Sequence, residues 1–217
     1  RPEKLQRQVE CLDAHPDVGA VFTWVQVFDE HGTLLDNDWF NGINRTRWTL
    51  LNELFHQKNT LNQPSALVRR HCYDTVGIYR AGLWQIDDAE FWSRVLLRYP
   101  IHVIEEKLTL HRLFSDKSNI SGERPTTTVR RENEWNFLRE NYLTLSGFDE
   151  VIQIFPELAS WQRPNGCNVK FLLAMACVQS PHRSAWSQGL RWLFELLNDP
   201  AQQAQIADLY GYTDTDF

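Results

Sequence analysis

The chain has 217 residues, of which 42% are apolar and 12% aromatic, which is enough to bury a core in one large domain or two small ones. Its net charge of -6 argues against nucleic acid or anionic lipid as a partner, because those ligands are bound by a surplus of basic side chains. The sequence contains no run of about 18 apolar residues and opens with no signal-like segment, so we expect a cytoplasmic protein without a membrane span.

The four cysteines argue for reduced thiols. They are widely separated along the chain, and no Cys-x-x-Cys pair occurs. Neither a zinc site nor a disulfide framework is therefore indicated.

The first part of the chain alternates helical and strand patterns. A helical face over residues 1–15 is followed by an almost continuously apolar run at 18–28, which is rich in β-branched and aromatic residues. Such a run predicts a strand that is covered on both faces. A turn then returns the chain as a short antiparallel strand at 33–35, and the polar segment through Trp48 predicts a surface loop.

Short elements continue as far as residue 113. The sequence predicts helices at 50–55 and 71–76, a strand at 65–68, and β-like segments at 101–104 and 107–113. Together with the preceding elements, they predict an α/β fold for the first part of the chain.

The pattern changes at about residue 122. Pro125 opens a long helical pattern that is predicted to end near Gly147, and helical spacing recurs at 169–176, 190–197 and 206–209. No strand is needed after residue 122, so we expect an all-α C-terminal region.

Between these two parts, a cluster of acids opens an amphipathic helix. Phe91 and Val95 are four residues apart and mark its apolar face. Asp87 and Glu90 have the spacing of a capping pair. Asp88 is left without a capping partner, at a strand-to-helix corner where a carboxylate can face a cleft and take a proton from a substrate hydroxyl.

Six segments of the first part occur in a fixed order over residues 1 to about 120. They are Pro2-Glu3-Lys4-Leu5, His15-Pro16-Asp17-Val18-Gly19-Ala20-Val21, Asp29-Glu30-His31-Gly32, Gln63-Pro64-Ser65-Ala66-Leu67-Val68-Arg69-Arg70, Val76-Gly77 and Asp87-Asp88-Ala89-Glu90-Phe91-Trp92-Ser93-Arg94. In their order and spacing these segments resemble a family 2 glycosyltransferase. The resemblance implies the acceptor-side half of a GT-A fold at 1–122, a mixed sheet between helices, with an α-helical extension at 123–217. It also implies an inverting transferase that uses a nucleotide-sugar donor, a hydroxyl acceptor and a divalent metal, in surface polysaccharide or glycoconjugate synthesis.

The resemblance implies that Asp88 is the general base, because the acidic pair before an aromatic-rich helix supplies this group in the family. Asp87 stands where a glutamate is more usual, and acceptor-binding or supporting roles are implied for Asp87, Trp84, Ser65 and Arg69. A helix start lowers the pKa of a carboxyl, whereas burial beside a second carboxylate raises it, and the sequence leaves this balance open.

The chain also departs from the family pattern. The nucleotide-binding strands and the Asp-x-Asp metal motif of the family would precede Pro2, so we expect a piece of a longer protein that lacks the donor half and is inactive alone. The Mn or Mg ion is then expected to bind outside this chain. Asp36-Asn37-Asp38 and Asp214-Thr215-Asp216 have the same letters, but they lie in a loop and at the terminus, where aspartates commonly form turns.

A histidine that touches the metal follows the last strand in many relatives. Here Phe114 occupies that position and cannot bind a metal, which leaves His111 as a weak candidate beside an ordinary core or surface role. Gln188-Gly189-Leu190-Arg191-Trp192 spells a Gln-x-x-Arg-Trp motif of processive synthases, but helical packing explains its apolar residues.

Two other functions deserve comparison. Residues 123–217 are alternatively a protein-interaction or homo-oligomerisation module on a degenerate transferase domain, since Trp161 and Trp186 lie in helices too short to bury them alone. A glycosidase that uses Asp87 and Asp88 is a poor alternative, because adjacent residues cannot easily stand roughly 5 to 9 Å apart across one bond.

Overall fold

A computed structural model describes residues 1–116 and 124–217. The described residues form two compact units, one of residues 1–54 and 58–134 and the other of residues 55–57 and 135–217. The boundary predicted at residue 122 lies outside the described residues. The fold class is α/β, as predicted from the sequence.

The first unit contains a three-stranded mixed sheet. The strands lie in the order β2-β1-β3, with β1 antiparallel to β2 and parallel to β3. The elements in chain order are α1 (Lys4–Ala14), β1 (Ala20–Phe28), α2 (Arg47–Phe55), a 3-10 turn (Gln63–Ser65), β2 (Leu67–Val68), α3 (Arg70–Val76), α4 (Asp87–Leu96), β3 (Ile101–Arg112) and α5 (Pro125–Glu140), of which α2 and α5 each continue into the second unit.

The two β-like segments predicted after residue 100 are one strand, β3. Thr23 pairs with Ile104 and Trp24 pairs with Lys107, so Glu105 and Glu106 are additional residues in β3 at that point. Both glutamates are exposed. The prediction of two segments was wrong because a bulge lets a strand carry an exposed charged pair without ending.

The start of β1 is covered on both faces, as its apolar sequence predicted. Residues 20–23 are buried in succession, whereas burial alternates from Trp24 onward. Helix α4 supplies part of this cover, since Phe22 meets Trp92 edge to face with ring centroids 4.8 Å apart. The aromatic face of α4 therefore lies in the core, and its acidic start lies at the end of that packed helix.

Side chains complete the edge of β1 that faces β2. The side-chain amide of Gln8 donates to the carbonyl of Val21 (2.7 Å). Asn41 pairs with Val25 in both directions, accepting from its N–H (2.7 Å) and donating to its carbonyl (3.0 Å). Because β2 pairs with β1 at two positions, these amides take the place of further strand residues.

The second unit is helical, and its described residues contain no strand, as predicted for the C-terminal region. Helix α5 ends at Glu140 instead of near Gly147 and continues as a 3-10 turn. The further elements are this turn (Asn141–Thr144), α6 (Phe148–Ile154), a 3-10 segment (Pro156–Trp161), α7 (Val169–Val178), α8 (Arg183–Leu197) and α9 (Pro200–Tyr210). No helix in the described parts of the chain has the length and apolar character needed to cross a membrane.

Helices α7 and α8 pack closely at Gly189. A Cβ atom at this position would lie 2.8 Å from the carbonyl oxygen of Ala174 and 2.8 Å from the Cβ of Cys177. Trp192, the last residue of the Gln-x-x-Arg-Trp motif, is 1% exposed, and Gln188 donates to Glu140 (2.8 Å). This motif therefore packs the helices, and its tryptophan has no surface on which a glycan could stack.

Candidate active site

The start of α4 differs from the predicted capping pair. The helix begins at Asp87, and its N-cap residue is Ile86, which has no side-chain oxygen. Glu90 is fully buried and accepts from Arg94 through both carboxylate oxygens (2.9 Å each), and it also pairs with Arg80 (3.1 Å). The prediction of a capping pair was wrong, because Glu90 is paired with Arg94 and Arg80.

Glu134 of α5 binds the backbone that leads into α4. Its carboxylate accepts from the N–H groups of Trp84 (3.0 Å), Gln85 (2.7 Å) and Ile86 (3.1 Å). Arg130 donates to the same carboxylate (2.8 Å). One buried side chain therefore fixes three successive residues of the loop and, through them, the acidic start of the helix.

Asp88 has one strong and one weak hydrogen bond. Its Oδ1 accepts from the backbone N–H of Ala89 at 2.7 Å, and its Oδ2 accepts from the side-chain amide of Asn59 at 3.3 Å. Burial raises the pKa of Asp88 to about 6, and the Asp87 carboxylate adds to this, while the bonds from Ala89 and Asn59 act in the opposite direction. Burial therefore decides the balance that the sequence left open.

Tyr79 belongs to the same site and was not predicted from the sequence. Its pKa is raised by burial first, then by Tyr73, and then by the carboxylates of Asp88 and Asp87. Its ring packs against Phe91 of α4, with centroids 4.5 Å apart. The phenol therefore stays protonated near the acidic pair. No motif or spacing in the loop before α4 marks this tyrosine.

Asn59 joins Asp88 to an exposed aromatic side chain. The backbone carbonyl of Asn59 accepts from the indole N–H of Trp39 (3.0 Å), and its side-chain oxygen accepts from the N–H of Leu61 (3.0 Å). The amide nitrogen of Asn59 is thereby directed at Asp88. The carboxyl predicted as the base therefore contacts a loop that the sequence did not assign to the site.

His111 contacts the other end of this loop. Its Nδ1 lies 3.2 Å from the amide nitrogen of Asn62, and its ring meets Phe40 edge to face at 5.5 Å. Burial lowers the pKa of His111. The metal-binding role considered for His111 stays a prediction.

The described residues do not form a site for a divalent metal. Within residues 1–116 and 124–217, no group of three or more His, Cys, Asp or Glu side chains is placed to hold one. Asp38 accepts from Asn41 (2.6 Å) and pairs with Lys107 (3.1 Å), and Asp216 accepts from the N–H of Thr213 (2.8 Å). Both Asp-x-Asp sequences therefore form local turn and surface contacts.

Ser65 has a structural position. It is fully buried, its hydroxyl donates to the carbonyl of Asn62 (2.7 Å), and the same oxygen accepts from the N–H of Thr23 (3.4 Å). Gln8 donates to its carbonyl (2.8 Å). Ser65 has no exposed surface for an acceptor substrate to contact, and the supporting role implied by the resemblance stays a prediction.

Arg69 also makes structural contacts. Its guanidinium donates to the carbonyls of Leu12 (2.6 Å) and Val18 (2.9 Å). These bonds hold the end of α1 and the chain leading into β1 against the residue that follows β2. The acceptor-binding role implied by the resemblance stays a prediction for Arg69.

Trp84 and Asp87 flank the candidate base along the chain. The Trp84 side chain is 60% exposed, and the guanidinium carbon of Arg130 lies 5.7 Å from the centroid of its ring. Asp87 is half-buried at the first position of α4. Both residues keep surface that a ligand beside Asp88 can reach, and their roles stay predictions.

No protein-family model matches the chain. Over 143 residues it is 25% identical to the amylovoran biosynthesis glycosyltransferase AmsE of Erwinia amylovora, a match that covers 64% of this chain and 46% of that protein. Over 113 residues it is 25% identical to the uncharacterized glycosyltransferase MJ1057 of Methanocaldococcus jannaschii, covering 52% of this chain and 38% of that protein. The chain thus spans less than half the length of these curated relatives, and the two similarities support a glycosyltransferase-like function.

Proposed function

We propose that the chain is part of an inverting glycosyltransferase of GT-A type, similar to family 2, and that Asp88 is its general base. The observation that carries this proposal is the burial of the Asp88 carboxyl group and its raised pKa. Asp88 is half-buried at the start of α4, and its pKa of about 6 lets it be ionised yet basic near neutral pH. A base works best when its pKa lies near the operating pH.

In the proposed reaction, the acceptor hydroxyl attacks the anomeric carbon of the donor from the face opposite the nucleotide. The hydroxyl proton passes to Asp88 as the new carbon–oxygen bond forms. The bond from the anomeric carbon to the phosphate oxygen breaks, and its electron pair leaves with the nucleotide. We assign the proton to Oδ2, because its 3.3 Å bond to Asn59 leaves it less engaged than Oδ1, which Ala89 holds at 2.7 Å.

The donor and the metal belong to the whole protein in this proposal. A nucleotide-sugar and a Mn or Mg ion would need binding groups outside the described residues, which hold no metal cluster of their own. The name of the first relative refers to amylovoran biosynthesis. It supports the proposal that the acceptor is a growing surface polysaccharide or glycoconjugate.

The test replaces the base in the whole protein that contains this chain. Asp88→Asn is expected to lower transfer by about 100-fold to 10,000-fold, the range that a positioned general base contributes, while donor binding is retained. Nucleotide release from a panel of UDP- and GDP-sugars measures transfer, and calorimetry with the same donors measures binding. Asp74→Asn, the same change at an exposed position of α3, is the matched control. Unchanged turnover in Asp88→Asn would remove Asp88 from the mechanism.

A second candidate function concerns the helical unit. Trp186 and Phe194 of α8 are 51% and 57% exposed, and Leu190 lies between them at helical spacing. We propose that this stripe is a self-association surface, because exposed aromatic rings are enriched at interfaces. Light scattering over a range of concentrations tests it. A mass that stays monomeric, or one that Trp186→Ser with Phe194→Ser leaves unchanged, counts against self-association through α8.

A further inference from the structure

Trp39 is an exposed aromatic side chain that shares a hydrogen-bonded chain with Asp88. Its surface is 56% accessible, although its indole N–H is bonded to the carbonyl of Asn59 (3.0 Å). The side chain of Asn59 in turn contacts the Asp88 carboxylate (3.3 Å). A single residue therefore separates an accessible apolar ring from the carboxyl group of the candidate base.

The segment that carries Trp39 is fixed, although the ring lies outside helices and strands. Asn41 is bonded to both the N–H and the carbonyl of Val25 in β1 (2.7 and 3.0 Å). Asp38 pairs with Lys107 of β3 (3.1 Å). The sheet thus holds the residues on both sides of Trp39.

The residue that receives the indole N–H is fixed as well. Arg45 donates to the hydroxyl of Thr60 (2.7 Å) and pairs with Glu53 of α2 (2.6 Å). The side-chain oxygen of Asn59 accepts from the N–H of Leu61 (3.0 Å). Because both partners are held, the ring loses little conformational freedom when a ligand packs on it.

We propose that the exposed face of Trp39 is the acceptor-sugar subsite, which binds the apolar C–H face of a pyranose ring. This proposal rests on the proposed transfer to a hydroxyl acceptor. Aromatic surface combined with a few convergent polar groups suits a sugar, which is apolar on its ring faces and polar at its edge. Trp39 donates to the backbone carbonyl of Asn59, whose side chain contacts Asp88, so the proposed subsite is two contacts away from the candidate base.

Trp84 is the competing platform. It is 60% exposed and lies four residues before Asp88, but the guanidinium of Arg130 lies over its ring at 5.7 Å. A cation there competes with a sugar for the same π face. Trp39 combines a comparable exposure with a direct hydrogen bond to the residue that contacts the base.

Fluorine NMR of the chain labelled with 5-fluorotryptophan tests the subsite without an activity assay. The chain has nine tryptophans, and the spectrum of Trp39→Phe assigns the Trp39 resonance. The probes are the methyl glycosides of glucose, galactose and mannose. We expect a saturable shift of the Trp39 resonance with at least one glycoside, while Trp186, which is 51% exposed in the helical unit, does not move. A shift of Trp84 alone, or no saturable shift in any of the nine resonances, would overturn the subsite.

A second measurement separates this subsite from the catalytic proposal. In the whole protein, Trp39→Ala is expected to raise the KM for the acceptor by about tenfold, as expected for the loss of one aromatic contact. The Asp88→Asn chain should still show the Trp39 shift with the glycosides. If that variant keeps full turnover while Trp39 responds, the base assignment fails and the subsite stands. If turnover is lost and Trp39 is silent, the subsite fails and the base stands.

Discussion

The side-chain amide of Asn59 donates to Oδ2 of Asp88 across 3.3 Å, whereas the backbone N–H of Ala89 donates to Oδ1 across 2.7 Å. Both bonds lower the pKa of Asp88, while burial and the Asp87 carboxylate raise it. The pKa of the proposed base is thus set by burial and by a few neighbouring groups. Two of these groups, Asn59 and Asp87, can be replaced without changing Asp88.

Replacing these two neighbours should move the pH dependence of transfer in opposite directions. Asn59→Ala removes a bond to the ionised form, so the pKa of Asp88 should rise and the acid limb of kcat/KM should move to higher pH. Asp87→Asn removes a like charge, so the limb should move to lower pH. The measurement is the pH profile of the whole protein with saturating donor. Shifts of the same sign in both variants contradict this account, since general damage to the loop gives no such opposition.

Burying Asp88 in its ionised form should lower the stability of the fold. The folded pKa of about 6 lies above the ordinary value of about 3.9, so the unfolded chain releases this proton first as the pH rises. The contribution of Asp88 to stability is therefore greatest below about pH 4 and is lost between about pH 4 and pH 6, by at most about 3 kcal/mol.

Asp88→Asn isolates this effect, because the groups that do not interact with Asp88 titrate alike in both proteins. We expect the variant to gain stability relative to the wild type as the pH rises from about 4 to 6, and to keep that gain above pH 6. Urea unfolding at several pH values measures the difference. Asp74→Asn, the same change at an exposed position, is the control for the substitution itself. A profile for Asp88→Asn that matches this control at every pH would contradict the raised pKa of Asp88.

Glu134→Ala should destabilise the first unit by about 3 kcal/mol, because it leaves three backbone N–H groups in the loop before α4 without their acceptor. Thermal or urea unfolding measures this loss. Glu132→Ala, which removes the same atoms two residues earlier on α5, is the matched control and should change stability by less than about 0.5 kcal/mol. Equal effects of the two substitutions would mean that Glu134 does not hold the loop.

Gly189→Ala should destabilise the helical unit although alanine favours a helix. The added methyl group would stand 2.8 Å from Ala174 and Cys177 of α7, a clash that costs about 1–3 kcal/mol against a helix-propensity gain of about 1 kcal/mol. Ser187→Ala, at an exposed position of the same helix, should be neutral or slightly stabilising. Melting temperatures of both variants decide the sign, and a stabilised Gly189→Ala would contradict the close approach of α7 and α8.

Regular periodicity explains which elements could be predicted from the sequence. Strand β1 and helices α4, α7, α8 and α9 follow clear apolar patterns and occur where those patterns lie. Helix α6 has seven residues, and the segment Pro156–Trp161 is a 3-10 turn, so neither is long enough to repeat a helical spacing. The end of α5 was placed too late because the 3-10 turn after Glu140 keeps apolar residues at nearly helical intervals.

The site could be predicted only where its residues are neighbours in the chain. Asp88 stands out because it follows another acid at a helix start. Asn59 is 29 residues away from it, and Glu134 is 48 residues from Ile86, so their contacts depend on the assembled fold. The sequence shows only a polar loop at Asn59. At Glu134 it shows only an ordinary i,i+4 charged pair.

The amides of Gln8 and Asn41 that bind Val21 and Val25 have a consequence for the behaviour of the protein in concentrated solution. An open strand edge invites pairing with another copy and leads to aggregation. A short polar side chain that occupies the N–H and carbonyl of Val25 blocks such growth without adding a strand. Losing Asn41 would therefore expose the N–H and carbonyl of Val25 to pairing with another copy, and would also loosen a loop. The variant should form insoluble oligomers while its helices are still intact.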